Sequence, residues 1–319
     1  MKKIFSSFIA LLMVLGLVSC NVNTTQKESN EKKTTSSSFP VSIKDASKNE
    51  ITFKEEPKKI VSLIPSNTEI LFSLGKGKDV VGVTDFDNYP KEVSSIDKVG
   101  GNNADMTFNI EKIISLKPDL VLAHESSLGI SASGLDQLKQ AGIPVFVVKN
   151  ASTINDVYDT ILQIGKITGS SKEAKNEVAD MKTKLNKIDK LTAKVSNHPI
   201  VWLEISGPPE IYTAGQGTFL SEMLSIIHAK NVAEKEKGWV KYNEESVIKA
   251  NPDVIITTYG DYVPNLKNVV MDRKNWKDVS AIKNSRVYDV NSDTTSRPGP
   301  RLVEGVEELA KSVYPDLFK

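Results

Sequence analysis

The order of apolar and polar residues predicts alternating strands and helices from Phe39 to the C-terminus. Continuous runs of Val, Ile and Leu indicate strands buried on both faces, and apolar residues spaced three or four apart indicate helices. A polar turn between two alternating segments, residues 41–43 and 51–53, indicates a hairpin at the start. The predicted strands are then residues 60–64, 80–83, 120–123, 145–148, 200–205, 231–233, 254–257 and 287–290, and the predicted helices are residues 68–74, 110–116, 135–141, 218–227, 243–249 and a last helix from about Arg301.

One segment of this pattern occurs twice, 134 positions apart. It reads NIEKIISLKPDLVLAH at residues 109–124 and NEESVIKANPDVIITT at residues 243–258, with five of the sixteen positions identical. Each copy predicts a helix followed by a buried strand, at the same place in each half of the chain. We therefore expect an α/β protein with two similar Rossmann-like lobes containing parallel sheets, at residues 39–151 and 198–319.

Residues 152–197, between the two lobes, have a helical pattern. Apolar residues recur at spacings of three and four, and no Gly or Pro occurs from Lys172 to Val195. A helix over that stretch would be a rod of about 36 Å. We interpret it as a long interlobe helix that bridges the lobes and resists wide hinge closure; the alternative is a coiled-coil arm that dimerises.

The N-terminal region has the pattern of an export signal. Lys2 and Lys3 precede an apolar run that is too short to span a bilayer, which indicates a signal peptide at residues 1–19. The run closes on Leu-Val-Ser-Cys, which resembles a bacterial lipobox with Cys20 as the lipidated residue; the alternative is an ordinary signal peptide. Residues 20–38 are polar and predict a disordered tether. We expect a protein exported and lipid-anchored to the outer face of the cell membrane.

Composition excludes several functions. The 41 basic and 40 acidic residues nearly cancel, and only four residues are arginine, which argues against nucleic-acid binding. Cys20 is the only cysteine, so disulfides and thiolate metal sites are excluded, and the three histidines are scattered along the chain. The segments 129–133 and 75–78 lack the spacing of a nucleophile elbow and of a phosphate-binding loop. An enzyme is therefore not expected, nor a cofactor or a metal site.

Five strings in the chain, two of which overlap the repeated segment, carry a family resemblance: KIVSLIPSNTEILFSLG, VVGVTDFDNYP, EKIISLKPDLVLA, GWVKYNEESVIKANPDVII and RPGPRLVEGVEELA. Together with the two lobes and the interlobe helix, they resemble substrate-binding lipoproteins of the iron-siderophore and cobalamin ABC importers, with cobalamin-binding members the most similar. The resemblance implies that a small-molecule ligand binds between the lobes. It also implies delivery to a permease dimer with its ATPase.

The resemblance gives the repeated segment a role. Glu111 and Glu245 occupy equivalent positions in the two copies, and in the family one glutamate from each lobe pairs with arginines of the permease. The alternative for each copy is a helix start alone, since Asn109 and Asn243 are good N-caps and a carboxylate is favoured in a first turn. We expect Glu69, which has no counterpart in the second lobe, to cap its own helix.

The resemblance also implies a set of ligand-binding residues at the loops that follow the strands, where open α/β sheets bind ligands. They are Phe86, His124, Tyr212, Trp239, Asp293 and Arg297. Aromatic faces and hydrogen-bonding groups suit the flat, amide-bearing corrin of cobalamin. The alternative for the aromatic residues is packing in the core or at the rim.

Two positions depart from the family. His124 stands where the family has tryptophan, and could coordinate a metal axially or donate a hydrogen bond. The aromatic expected near Gly101 is missing, and Phe108 is the candidate substitute. A ferric siderophore or haem carrier is the alternative function, and an adhesin that reuses the fold is a third. A strongly anionic catecholate complex is disfavoured because Arg297 is the one arginine expected near the cleft.

Overall fold

The first half of the chain forms an α/β lobe. In the computed structural model, which describes residues 39–101 and 107–319, its elements follow the predicted order, while the predicted signal peptide, Cys20 and the tether lie outside the described residues. The elements are β1 (Val41–Lys44), β2 (Glu50–Phe53), β3 (Ile60–Ser62), α1 (Pro65–Ser73), β4 (Val80–Val83), β5 (Asp97–Lys98), α2 (Ile110–Ser115), β6 (Leu120–His124), α3 (Leu128–Gln140) and β7 (Val145–Val148).

Parallel pairing builds the main sheet of this N-terminal lobe, in the order β5-β4-β3-β6-β7. Every residue of β6 and β7 is buried, which explains why these strands read as continuous apolar runs. β1 and β2 form the predicted antiparallel hairpin, with Val41 opposite Phe53. α3 begins at Leu128, seven residues before the predicted start, because Gly129, Ser131 and Ser133 hid the helical pattern.

The remaining elements are two linking helices and a second α/β lobe. They are α4 (Ile154–Ile167), α5 (Ser171–Thr192), β8 (Ile200–Glu204), β9 (Tyr212–Ala214), α6 (Phe219–Ile226), β10 (Lys230–Asn231), β11 (Trp239–Lys241), α7 (Glu244–Ala250), β12 (Val254–Thr257), α8 (Leu266–Met271), α9 (Ser280–Lys283), β13 (Val287–Asp289), α10 (Ser292–Ser296) and α11 (Leu302–Val313). Parallel strands form a sheet in the order β10-β8-β12-β13, and β9 pairs with β11 in a separate antiparallel ribbon. The prediction of two α/β lobes with parallel sheets is confirmed.

Both copies of the repeated segment occupy the same place in their lobes. β6 lies beside β3 and β12 lies beside β8, each next to the first strand of its main sheet. The shared Pro-Asp pair explains part of the repeat. Asp119 accepts hydrogen bonds from the backbone N–H groups of Lys58 and Lys59, and Asp253 accepts one from Ile200. Each aspartate thus ties the start of its strand to the start of the strand beside it.

The linking helices are packed into the protein along their length. α4 begins at a capping box of Thr153 and Asp156, and α5 runs for 22 residues against α4 and α11. The buried stripe of α5 is Ala174, Val178, Met181, Leu185, Ile188 and Thr192. These side chains belong to a core cluster that continues from the N-terminal lobe into the C-terminal lobe. The coiled-coil alternative is wrong, because the stripe that would dimerise is already buried.

Helix length and hydropathy bear on membrane insertion. Among residues 39–101 and 107–319, none of the helices combines the length and the apolar character needed to cross a membrane.

Candidate ligand-binding site

A cavity of about 760 Å³ lies between the two lobes. Its N-terminal wall comes from residues that follow β3 and β4, and its C-terminal wall from residues that follow β8, β12 and β13. In each main sheet the strand order reverses at the first strand: β3 lies between β4 and β6, and β8 lies between β10 and β12. Open parallel sheets bind ligands at such switch points, so the cavity lies where the topology places a binding site.

Much of the cavity wall is apolar. The N-terminal lobe contributes Ile64, Pro65 and Phe86 beside Ser66. Phe86, Tyr262 and Val269 line the cavity while 43%, 80% and 49% exposed. Soluble proteins rarely gather large exposed apolar side chains in one place unless they contact a ligand or a partner. The cavity therefore has the surface of a site for a largely apolar solute.

An ion pair within the C-terminal lobe lies against this cavity. Arg273 lines it and donates to both carboxylate oxygens of the fully buried Glu204, with Nη1–Oε2 at 2.7 Å and Nη2–Oε1 at 2.5 Å. Tyr259 Oη donates to Glu204 Oε1 at 2.5 Å, and Trp202 Nε1 donates to Oε2 at 3.0 Å. Burial and the neighbouring carboxylate raise the pKa of the Tyr259 phenol, so it stays protonated and donates.

A second charged cluster joins the lobes beside the cavity. Glu69 of α1 is 3% exposed and accepts hydrogen bonds from Arg297 Nη1 at 2.9 Å, Arg301 Nε at 2.8 Å and Arg301 Nη2 at 2.6 Å. Asn88 donates to Asp293, which in turn lies 2.7 Å from Arg297. The expectation that Glu69 caps its own helix is wrong: α1 has no side-chain cap, and Glu69 instead pairs with cations of the other lobe.

Around the cavity the charges balance. Three arginines (Arg273, Arg297 and Arg301) face three carboxylates (Glu69, Glu204 and Asp293), so their formal sum is zero. Burial alone would lower the pKa of Arg273 and of Arg301, but the paired carboxylates more than offset it and raise both values, so both stay charged. The expectation that Arg297 is the one arginine near the cleft is wrong, but the compensating carboxylates leave the cavity without net positive charge.

Of the six residues predicted to bind ligand, three meet in the cavity. Phe86, Asp293 and Arg297 all line it. His124 does not: it is 3% exposed, and its Nδ1 lies 2.7 Å from Ser126 Oγ. Burial lowers the pKa of His124, which keeps the ring neutral at pH 7. The structure thus places His124 inside the N-terminal lobe, outside the lining of the cavity.

Tyr212 and Trp239 lie on the ribbon of β9 and β11, outside the lining of the cavity. Trp239 pairs with Ala214, two residues from Tyr212, so both aromatic side chains project from one face of the ribbon. Trp239 is 50% exposed and Tyr212 is 37% exposed, and the Trp239 ring meets Phe219 edge-on at 5.8 Å. Neither is a core residue.

Sequence reasoning missed Tyr259, Tyr262 and Arg273. The two tyrosines belong to the string TYGDY directly after β12. The candidate residues come from loops that follow other strands, and the same criterion applied to β12 would include both tyrosines. Arg273 follows the helix α8 and not a strand, so this criterion would not select it, although the folded chain places it in the cavity wall. Phe108, the candidate substitute aromatic, lines a pocket of about 110 Å³ that shares Ile64, Pro65 and Phe86 with the cavity.

Each repeated glutamate stands in the first turn of a short helix. Asn109 caps α2 by accepting from the Lys112 N–H, and Asn243 caps α7 by accepting from the Ser246 N–H. Glu111 and Glu245 are both exposed, and neither side chain forms a hydrogen bond or ion pair with another described residue. The adjacent Glu244 instead accepts a hydrogen bond from Trp276 Nε1 at 2.6 Å.

Two α/β lobes around a solute-sized cavity define a two-lobed solute-binding protein. Residues 60–294 match the periplasmic binding protein family, and the chain belongs to that family. It is an ABC-transporter substrate-binding protein of the group that includes cobalamin and iron binders, and not an enzyme. In the part of the chain that the structure describes, no group of three or more His, Cys, Asp or Glu side chains could hold a metal ion.

Three similar proteins illustrate the range of the family. YvrC of Bacillus subtilis, an uncharacterized ABC transporter substrate-binding lipoprotein, is 49% identical over 100% of both chains. A cobalamin-binding protein of Halobacterium salinarum is 29% identical over 87% of this chain and 75% of its own length. A crystal structure from Staphylococcus epidermidis, described as a possible iron-binding, periplasmic solute-binding protein, is 40% identical, with a TM-score of 0.74 over 82% of this chain and 100% of that chain.

Proposed function

We propose that the protein captures a corrinoid such as cobalamin between its lobes and delivers it to the permease of an ABC importer. The observation that carries the proposal is the cavity, which is open, largely apolar and balanced in charge. A corrin ring is broad and flat and bears amides, so apolar walls and a few hydrogen-bonding groups suit it. The cobalamin-binding relative supports the same ligand class.

Within this proposal, Phe86 packs on the ligand from the N-terminal lobe, and Asp293 and Arg297 hydrogen-bond to it from the C-terminal lobe. Tyr212 and Trp239 extend the contact surface beyond the cavity, because their exposed rings share one face. An axial-ligand role for His124 requires an exposure that the ring does not have in this structure. We therefore assign His124 a hydrogen-bonding role within the N-terminal lobe.

Delivery needs a docking surface, and we assign it to Glu111 and Glu245. Both glutamates are exposed and unpaired among the described residues, and they occupy matching positions in the two lobes. A helix that precedes a parallel strand runs antiparallel to it, so both first turns lie at the carboxyl-end side of the sheets, where the cleft opens. One carboxylate from each lobe suits pairing with arginines of a permease dimer.

Attachment to the outer face of the cell membrane is proposed through a lipid on Cys20. The Bacillus subtilis relative, named a lipoprotein, aligns over the whole chain, including this cysteine's region. Replacing Cys20→Ser should release the protein into the medium and leave the ligand Kd unchanged. Immunoblotting of membrane and medium fractions measures the release, and retention of the variant in the membrane fraction would refute the lipid anchor.

The test of ligand class is a titration of the purified protein with cyanocobalamin, haem and a ferric trihydroxamate, followed by tryptophan fluorescence. Trp239 lies half exposed on the ribbon and Trp276 packs against Arg273 of the cavity wall, so a bound ligand should quench the tryptophan fluorescence. We expect cyanocobalamin to bind most tightly. Tighter binding of either iron complex would show that the proposed ligand class, a corrinoid, is wrong. If none of the three ligands changes the fluorescence, an adhesin that reuses the fold is favoured.

A carrier for a ferric hydroxamate or haem is the second candidate. The Staphylococcus epidermidis structure, described as possibly iron-binding, supports it at 40% identity. Hydroxamate complexes are nearly neutral and fit a charge-balanced cavity, whereas a ferric catecholate carries several negative charges that this cavity does not neutralise. The titration above separates this candidate from the first.

A further inference from the structure

We propose that Arg273 anchors an acceptor oxygen of the ligand, and that the buried Glu204 makes this anchor selective for neutral over anionic ligands. The inference rests on the proposed function, since it assumes that the cavity binds a solute. It adds a polar contact at the C-terminal wall that the resemblance did not assign, and it names a chemical class: the carbonyl oxygen of an amide or a hydroxamate.

The guanidinium of Arg273 has hydrogen-bond donors to spare. Glu204 takes one N–H from each Nη, and the Tyr259 phenol lies beside the same group. A guanidinium has five N–H donors, so at least two remain for an acceptor in the cavity that Arg273 lines. A carbonyl oxygen has the lone pairs to receive them.

Its position is fixed before any ligand arrives. The guanidinium stacks on the Trp276 ring at 4.8 Å, and Glu204, which holds it, is itself held by Trp202 and Tyr259. The side chain of Arg273 is 8% exposed and that of Glu204 is 0% exposed. Because the donors are already ordered, binding an acceptor costs little further side-chain entropy.

Gly207 keeps this pair accessible from the cavity. It lines the same wall, and a Cβ at position 207 would lie 2.4 Å from Tyr259 Oη and 3.4 Å from Arg273 Nη2. Any side chain here would therefore push against the phenol and stand in front of the guanidinium. The glycine thus leaves room for the Tyr259 phenol and for the Arg273 guanidinium at the wall of the cavity.

The carboxylate beneath the guanidinium determines which acceptors bind. Arg273 and Glu204 form a neutral pair, so the pair offers hydrogen bonds without net charge. A carbonyl acceptor keeps its full interaction with the donors. An anionic ligand would have to leave water for a site whose positive charge is already neutralised, which disfavours it.

The test compares wild-type protein with three variants. Removing both charges together, in Arg273→Gln with Glu204→Gln, avoids leaving one buried charge unpaired. Gly207→Ala blocks access to the guanidinium, and Glu204→Gln alone leaves Arg273 uncompensated. The matched control is Arg286→Gln, because Arg286 lies in the same lobe but donates to the Val313 carbonyl, outside the cavity lining. Affinities are measured for cyanocobalamin, a ferric trihydroxamate and a ferric triscatecholate, and folding is checked by thermal melting.

We expect the double variant and Gly207→Ala to weaken the best neutral ligand at least tenfold, with Arg286→Gln unchanged. Glu204→Gln should raise the affinity for the triscatecholate relative to the neutral ligand at least tenfold.

If the wild type binds a neutral ligand and both the double variant and Gly207→Ala bind it equally well, Arg273 is not an anchor. An unchanged ratio in folded Glu204→Gln overturns the selectivity role. If that variant does not fold, the double variant and Gly207→Ala still decide the anchor. Wild-type protein that binds none of the three ligands would overturn the proposed function and this inference together.

Discussion

The two lobes share a repeated helix and strand but differ in the walls that they present to the cavity. The capped helices α2 and α7 carry exposed glutamates at matching positions. By contrast, all four arginines of the chain belong to the C-terminal lobe, and three of them face the cavity region. The N-terminal lobe supplies an apolar wall and Glu69. The lobes are thus alike at the exposed glutamates, where we propose that a symmetric permease docks, and unlike at the cavity, where we propose that one asymmetric solute binds.

The two buried charged clusters also differ, because one lies within the C-terminal lobe and the other connects the two lobes. Glu204 and Arg273 lie within one lobe and fix a donor at the cavity floor, whereas Glu69 joins Arg297 and Arg301 across the lobes. With the packed helix α5, the second pair holds the lobes together without a ligand. In the inference proposed above the first ion pair governs ligand selectivity, whereas the second connects the two lobes.

The largest expected effect comes from reversing the charge of the two glutamates at matching positions of the lobes. Glu111→Lys with Glu245→Lys should abolish uptake of labelled corrinoid in cells and leave the Kd of the purified protein within error, because both side chains are exposed and lie outside the lining of the cavity. Each single reversal should give a partial loss. Glu173→Lys, an exposed position on α5, is the control and should transport normally. Loss of ligand binding in the double variant would move these glutamates into the cleft or the fold.

Breaking the interlobe pair is expected to have the next largest effect. Glu69→Ala leaves Arg297 and Arg301 without their common partner, and should lower the free energy of unfolding by about 3 kcal/mol in urea titrations. Glu56 is the comparator within one lobe: it pairs with Lys58 and Lys76 but is 33% exposed, so Glu56→Gln should cost about 1 kcal/mol or less. Equal losses of unfolding free energy in the two variants would show that the interlobe ion pair stabilises the protein no more than a surface ion pair does.

Removing the exposed aromatic of the C-terminal lobe should change affinity and not stability. If Trp239 loses about 100 Å² of apolar surface on binding, the gain is roughly 2.5 kcal/mol, or a factor of about 70 in Kd. Trp239→Ala should therefore weaken corrinoid binding by one to two decades and leave the apo melting temperature nearly unchanged, because the ring is half exposed. Phe86→Ala gives the matching measurement for the N-terminal wall. If affinity and stability both stay unchanged in Trp239→Ala, the ligand does not reach the ribbon of β9 and β11.

The smallest expected effect is a pH dependence in the N-terminal lobe. Burial lowers the pKa of His124 below its ordinary value of 6.5. The unfolded chain therefore binds a proton that the folded ring does not, and stability should fall as the pH drops below about 6.5, by at most about 1.4 kcal/mol per pH unit. His124→Gln should reduce that slope in urea unfolding at several pH values between 5 and 7.5. An identical slope in the variant would show that other groups cause the acid sensitivity.

Local sequence patterns predicted the lobes, the hairpin, most strands and the equivalent positions of Glu111 and Glu245. These predictions succeed because strand and helix periodicity is a property of neighbouring residues, and because a repeat places equivalent residues at equivalent sites. The short helices α8, α9 and α10 were not predicted, since four to six residues give too little periodicity.

The sequence by itself thus predicted the two-lobed α/β architecture and the helical connection. Its family resemblance gave six candidate ligand residues, of which Phe86, Asp293 and Arg297 line the cavity. Only the tertiary structure decided that His124 is buried, that Glu69 joins the lobes, and that Arg273 lines the cavity. Arg273 and Glu204 are 69 positions apart, and Glu69 and Arg297 are 228 positions apart. No local pattern encodes such pairings, because folding brings these charges together through the packing of elements distant in the chain.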